Sequence, residues 1–182
     1  MKTRLLVLMA LAVPALACAD QERPPAPCTD PAWAEFDFWL GEWEAYDSND
    51  GSLQGREHVT RDLDGCVIRQ NWHQQSDRYK HPGSDNRMRG TSVTGRNPNA
   101  PAGGWWQTWT DNVGSYIVVA GGLKDGVMVL EGVTGNSAFR RKWHWQPLED
   151  GSVRSWGIAS NDGGATWQTV WDITYRRPAD SN

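Results

Sequence analysis

Trp105, Gln107, Trp109 and Asp111 stand two residues apart in the run Trp105 to Asp111, a spacing that puts all four on one face of an extended chain. Indoles interleaved with an amide and a carboxylate are not what a dry core asks for. They suit a wall that holds a flat, partly apolar molecule and orients it with a few hydrogen bonds. The alternation recurs at Gln70 and Trp72, which share a face with Cys66 and Ile68, and at Arg154 and Trp156, where a guanidinium takes the amide's place. The last run aligns Trp171, Ile173, Tyr175 and Arg177. The expected ligand-binding set is therefore Gln70, Trp72, Trp105, Gln107, Trp109, Asp111, Arg154, Trp156 and Tyr175, with Gln70, Gln107 and Arg154 orienting the guest. The competing expectation is that the same rings are simply packed core.

Chemistry beyond binding has thinner support. The chain holds no G-x-S-x-G elbow, H-E-x-x-H, C-x-x-C or phosphate loop. His58, His73, His81 and His144 are scattered without metal-ligand spacing, so no metal and no cofactor is expected. Asp111 and Glu131 are the carboxylates nearest the aromatic runs. A buried Asp111 facing indoles would be a candidate acid or base for an isomerase or hydrolase, whereas a carboxylate bonded to an indole N–H or to Arg154 would be structural. Four readings result: a small-molecule binder, an enzyme using the same cavity, an envelope protein whose tryptophans are all core, and a carbohydrate binder if tryptophans line up on the surface.

These residues must be positioned by strands. Turn signals such as Asn49-Asp50-Gly51, Asp64-Gly65, His81-Pro82-Gly83, Asn97-Pro98-Asn99, Gly103-Gly104, Asp125-Gly126, Asp150-Gly151 and Asp162-Gly163-Gly164 separate short runs rich in Val, Ile, Thr, Trp and Tyr. No long helical period intervenes. About ten strands without crossover helices predict an all-β, antiparallel sandwich or barrel. The opening Phe36-Asp37-Phe38-Trp39-Leu40-Gly41-Glu42-Trp43-Glu44-Ala45-Tyr46 packs five aromatics around Gly41. It predicts a short helical turn leading into the first strand, with Trp33, Trp39 and Trp43 structural. Ser160 to Trp167 matches S-x-D-x-G-x-T-W, the Asp-box hairpin, and is expected to be a folding device in which Asp162 accepts turn N–H groups and Gly164 supplies a positive φ.

Domain organisation is simple. Lys2 and Arg4 precede an apolar run from Leu5 to Leu16, the length of a secretory signal and too short to span a bilayer. Ala15-Leu16-Ala17 offers a cleavage site, giving a signal peptide at 1–17, an extended proline-rich leader at 18–35, a single domain at 36–177 and a tail at 178–182. The same site is similar to a lipoprotein box, with Ala15 where such a box has leucine. A periplasmic or secreted product is the main expectation, and a membrane anchor through lipid on Cys18 is the alternative. Assigning Cys18 to the signal region leaves Cys28 and Cys66 as an even pair in an oxidising compartment and predicts a disulfide between them. The formal charge is −4, and more negative once Lys2 and Arg4 are lost, which argues against a nucleic-acid partner.

Taken together, Phe36 to Trp43, Asp64-Gly65-Cys66 with Trp72 following, Trp105 to Asp111, the Asp-box and Tyr175-x-Arg177 resemble a bacterial lipocalin-like family known as a domain of unknown function. The resemblance covers Phe36 to Arg177. It implies a closed calycin-type barrel and carries no activity with it. In lipocalins an arginine near the last strand covers the G-x-W indole, which makes Arg177 or Arg176 the expected cover for Trp43. In nitrobindin-like barrels a late histidine holds haem, and only His144 could take that role here.

Overall fold

The structure is a computed structural model that describes residues 28–80, 83–84, 86–97, 99–100, 104–133 and 138–179. The signal segment, Cys18, most of the leader, and positions 81, 82, 98 and 103 of the expected turns lie outside the described residues.

Ten antiparallel strands close into one barrel: β1 (Gly41–Asp47), β2 (Leu53–Asp62), β3 (Val67–Gln74), β4 (Arg89–Arg96), β5 (Trp105–Asp111), β6 (Tyr116–Lys124), β7 (Val127–Gly132), β8 (Arg140–Pro147), β9 (Val153–Ser160) and β10 (Gln168–Arg176). Each pairs with the next in sequence, and β1 pairs with β10, so no edge is left open. Because β1 runs away from the N-terminal turns, the even-to-odd connections lie at that closed floor and the odd-to-even connections surround the opposite mouth.

The floor is built from the opening aromatics. Short 3-10 turns at Pro31–Ala34 and Asp37–Trp39 fold Phe36 and Trp39 under the barrel, both fully buried. Trp39 stacks on Trp43 at 5.5 Å and meets Tyr175 edge-on at 4.5 Å, while Phe36 sits edge-on to Trp105 and Trp145. The buried indoles need partners for their N–H groups. Trp43 donates to the Trp39 carbonyl at 2.9 Å and Trp105 to Glu35 at 2.9 Å. Arg177 lays its guanidinium 3.5 Å from the centre of the Trp43 ring, the cover the resemblance implied. Gly41, at φ +117°, is fixed by the same contact, since a Cβ there would collide with Arg177.

Cys28 and Cys66 form the expected disulfide, with Cα atoms 5.2 Å apart. It ties the chain entering the floor to the turn between β2 and β3. Arg61 reinforces that junction by pairing with Asp37 and donating to the Trp33 and Gly65 carbonyls. At the mouth, the Asp-box behaves as expected. Asp162 accepts from the Thr166 N–H at 2.9 Å and from its hydroxyl at 2.6 Å, Gly164 has φ +99°, and the Trp167 indole donates to the Gly164 carbonyl at 3.0 Å.

Candidate functional site

Alternation sorts each strand into an outer and an inner face, and above the floor the inner faces do not meet. They enclose a cavity of about 290 Å³ that opens toward the mouth. Its five indoles, Trp72, Trp109, Trp143, Trp145 and Trp171, come from strands β3, β5, β8 and β10, and Tyr175 and, near the rim, Tyr79 add two phenol rings. Large rings on neighbouring strands would normally fill such a space. Here three of them lie directly against glycines instead. A Cβ at Gly55 would run into the Trp72 ring, one at Gly90 into Trp109, and one at Gly157 into Trp171. Glycine lets each indole hug the wall, and the middle stays open.

Two of these indoles are fixed at the mouth by polar partners. Trp72 donates to Gln74 at 3.0 Å, and Gln74 continues through Ser76 to Gln54. A register slip between Ala45 and Tyr46 brings Gln54 to the interior side alongside Gly55. Trp109 donates to Asp111 at 2.8 Å, and the other Asp111 oxygen accepts from the Val113 and Ser115 amides. Arg78 lies at the rim, held by Asp47 and the Val170 carbonyl, each at 3.0 Å.

Deeper in, the wall carries a buried polar cluster. Gln107, 2 % exposed, gives its amide N–H groups to Gln70 at 3.1 Å, Ser92 at 3.2 Å and Thr94 at 2.9 Å, and Ser92 donates to the same Gln70 oxygen at 2.9 Å. Next to it is Glu57, 3 % exposed, opposite Trp43 on β1 and Trp72 on β3. Among the described residues no cationic side chain pairs with it; only the Gln70 amide donates to it. Burial pushes the Glu57 carboxyl up to about 8, against a smaller downward pull from Gln70. Burial also raises the Tyr175 hydroxyl well above its ordinary value, and the Glu57 charge adds to that. One oxygen of Glu57 and the side-chain oxygen of Gln107 are buried without any partner.

The expected site residues therefore divide. Gln70, Trp72, Gln107, Trp109, Asp111 and Tyr175 all line the cavity. Trp105 points inward as expected but is absorbed by the floor, beneath the cavity, against Glu35 and Phe36. Arg154 and Trp156 are on the outer face. Arg154 makes a bidentate pair with Asp172 at 3.0 and 2.6 Å, and Trp156 stacks on His144 at 4.5 Å. On β9 it is Val153, Ser155 and Gly157 that face in, because the small residues leave room for Trp171 and its neighbours. His144 is on the outer face, its ring stacked on Trp156 and its Nδ1 at 3.2 Å from the Trp156 carbonyl.

Of the two readings of Asp111, the structure favours the one in which it is bonded to an indole N–H. Burial pulls the Asp111 carboxyl up, but hydrogen bonds from Ser115, Trp109 and Val113 outweigh it and hold it below the usual range. Both oxygens are thus engaged by donors, and Asp111 anchors an indole. Glu131 pairs with Arg140 and lies 3.6 Å from Lys142 on the outer face. The carboxyl group with unusual chemistry is Glu57, which the sequence reading overlooked. Its signal was the alternation Gly55, Glu57, Val59 on β2, where an acid shares the face of a glycine and a valine. Among the described residues no three His, Cys, Asp or Glu side chains gather around one point.

The class these features define is a closed ten-stranded antiparallel barrel with an aromatic lumen and a buried acid in its wall. No family model and no curated protein matches the chain, so the reading of this site rests on its geometry.

Proposed function

We propose that this is an exported barrel that binds one small, partly apolar, aromatic molecule inside its lumen. The observation that carries the reading is the open cavity of about 290 Å³, walled by indoles that lie against glycines rather than filling the space. That volume is at the lower end of the roughly 300–1,000 Å³ of small-molecule sites. It therefore favours a one- or two-ring compound over a lipid. The polar cluster around Gln70 and Gln107 gives such a guest an orientation. Export is supported by the signal-like N-terminus and by the disulfide, a bond suited to an oxidising compartment such as the periplasm. Lipid on Cys18 would turn the same protein into a membrane-tethered binder. The resemblance to lipocalin-like barrels supports the same reading.

Titrating the purified mature chain with a panel of small aromatic compounds, followed by indole fluorescence, tests this. Saturable quenching or a spectral shift is expected. A protein that responds to none of them overturns the proposal.

The enzymatic alternative moves from Asp111 and Glu131 to Glu57, whose carboxyl is poised to exchange a proton near neutral pH. It predicts turnover of a bound compound that is lost in Glu57→Gln while that compound still binds.

A further inference from the structure

Glu57 is an expensive residue to keep where it is. A carboxyl in this position is desolvated, flanked by Trp43 and Trp72, and given one amide donor. A glutamine or leucine would fill the same space without the cost of burying an acid. The barrel wall around it is also unusual in sign. Five indoles and two tyrosines, Tyr79 and Tyr175, line the lumen or its edge, and the faces of such rings attract cations and not anions. Among the described residues, the buried side-chain oxygens without partners are one on Glu57, an acceptor once that carboxyl ionises, and the amide oxygen of Gln107, and both side chains are hydrogen-bonded to Gln70.

We infer that the lumen selects a small arylalkyl ammonium ion, its N–H groups donated to Glu57 and Gln107 and its ring held among the indoles. This inference rests on the ligand-binding reading and narrows it to one chemical class. The ammonium supplies the positive charge that the protein itself withholds from Glu57. On β2, Arg56 and His58 point outward and Arg56 is taken up by Glu44. From the other elements the titratable groups lining the lumen are Tyr175 on β10, Asp111 at the end of β5, and Arg78 and Tyr79 toward the rim, with Arg78 already paired with Asp47. None of these offers Glu57 a cation.

Binding then carries a proton signature. The empty site holds Glu57 as the neutral acid at pH 7, since its carboxyl is raised to about 8. An incoming ammonium stabilises the carboxylate, so one proton leaves Glu57 for solvent as the ligand enters. Below pH 8 the affinity for an ammonium should rise about tenfold per pH unit, and that for a neutral guest should not.

The test is calorimetric titration of the mature chain with tryptamine, its uncharged counterpart 3-ethylindole and its anionic counterpart indole-3-propionate, at pH 6, 7 and 8 in two buffers of different ionisation enthalpy. Tryptamine stays protonated throughout that range. At pH 8 it is expected to bind at least about tenfold more tightly than 3-ethylindole, to release about one proton at pH 6, and to weaken about tenfold for each unit of acidification. Indole-3-propionate is expected not to bind. Glu57→Gln should bring tryptamine down to the affinity of 3-ethylindole and remove the pH slope. Equal binding of tryptamine and 3-ethylindole without proton release overturns the ammonium inference and leaves the ligand-binding reading intact. Failure of all three compounds overturns both. The proton count and the neutral comparison need no variant, so a misfolded Glu57→Gln would not blunt the test.

Discussion

Replacing Glu57 by Gln should change how the stability of the empty barrel depends on pH. In an unfolded chain this carboxyl titrates near 4.5, and in the barrel burial moves it up to about 8. A group raised in the folded state binds its proton more tightly there, so the native state loses stability as pH climbs from the unfolded value to the folded one. Worked through with one proton and 1.36 kcal/mol per unit, the loss between pH 5 and pH 7.5 is about 3 kcal/mol. Below pH 4 the group contributes no such slope, and above about pH 9 the penalty is complete. Glutamine has the same shape and cannot ionise, so the variant should escape the whole effect. Urea unfolding of both proteins in steps from pH 5 to pH 8.5, without ligand, would read the difference, because the common contributions of other groups cancel between them. The wild type is expected to fall relative to Glu57→Gln by about 3 kcal/mol between pH 5 and pH 7.5 and by about 4 kcal/mol by pH 8.5, and the gap should open gradually rather than at one pH. Parallel profiles would refute the assignment of a neutral buried acid at this position.

Three further perturbations probe the frame. Gly157→Ala forces a methyl group into the Trp171 ring and is expected to cost about 1–3 kcal/mol in urea unfolding while displacing the indole into the lumen and weakening any guest. Removing the disulfide by Cys28→Ser with Cys66→Ser releases a loop of 38 residues and should cost about 4 kcal/mol, read as a lower urea midpoint with the lumen otherwise unchanged. Asp162→Ala strips the Asp-box of the carboxylate that holds Thr166, so hydrogen exchange at the Thr166 and Gly164 amides should accelerate, with guest affinity unaffected because the hairpin lies outside the cavity.

The frame was legible because its signals are local. Period-2 alternation between Asn/Asp-Gly turns needs no partner strand to be read, and Gly41-x-Trp43 beside an aromatic knot already implies a packed floor. With Cys18 set aside as part of the signal-like segment, Cys28 and Cys66 are left to pair with each other, as they do. The lumen was legible in part, for Gln70-x-Trp72 and Gln107-x-Trp109-x-Asp111 carry polar atoms on an aromatic face, and all five residues line it. On β9 the same reasoning failed, since alternation defines two faces without saying which is inner. Arg154 and Trp156 look no different in sequence from Gln70 and Trp72, but the smallness of Ser155 and Gly157 decides the matter only once Trp171 is known to lie across them. Trp105 shares a face with Gln107 yet begins its strand at the floor, where Phe36 and Glu35 meet it, and those contacts come from a distant part of the chain. Glu57 escaped notice because an acid between Arg56 and His58 reads as part of a solvated strand, and its neighbours across the sheet, Trp43 and Trp72, are contributed by two other strands.

The central claim is that a small aromatic guest lodges inside the barrel, and the chain's four isoleucines are placed to report on it. Ile117 and Ile173 line the lumen, Ile68 belongs to the packed core, and Ile158 lies on the outer side of β9. Methyl spectra of isoleucine-labelled protein, recorded as tryptamine is added, should show Ile117 and Ile173 shifting together to saturation while Ile158 stays still. Spectra that never move, or that move only at Ile158, would contradict the account.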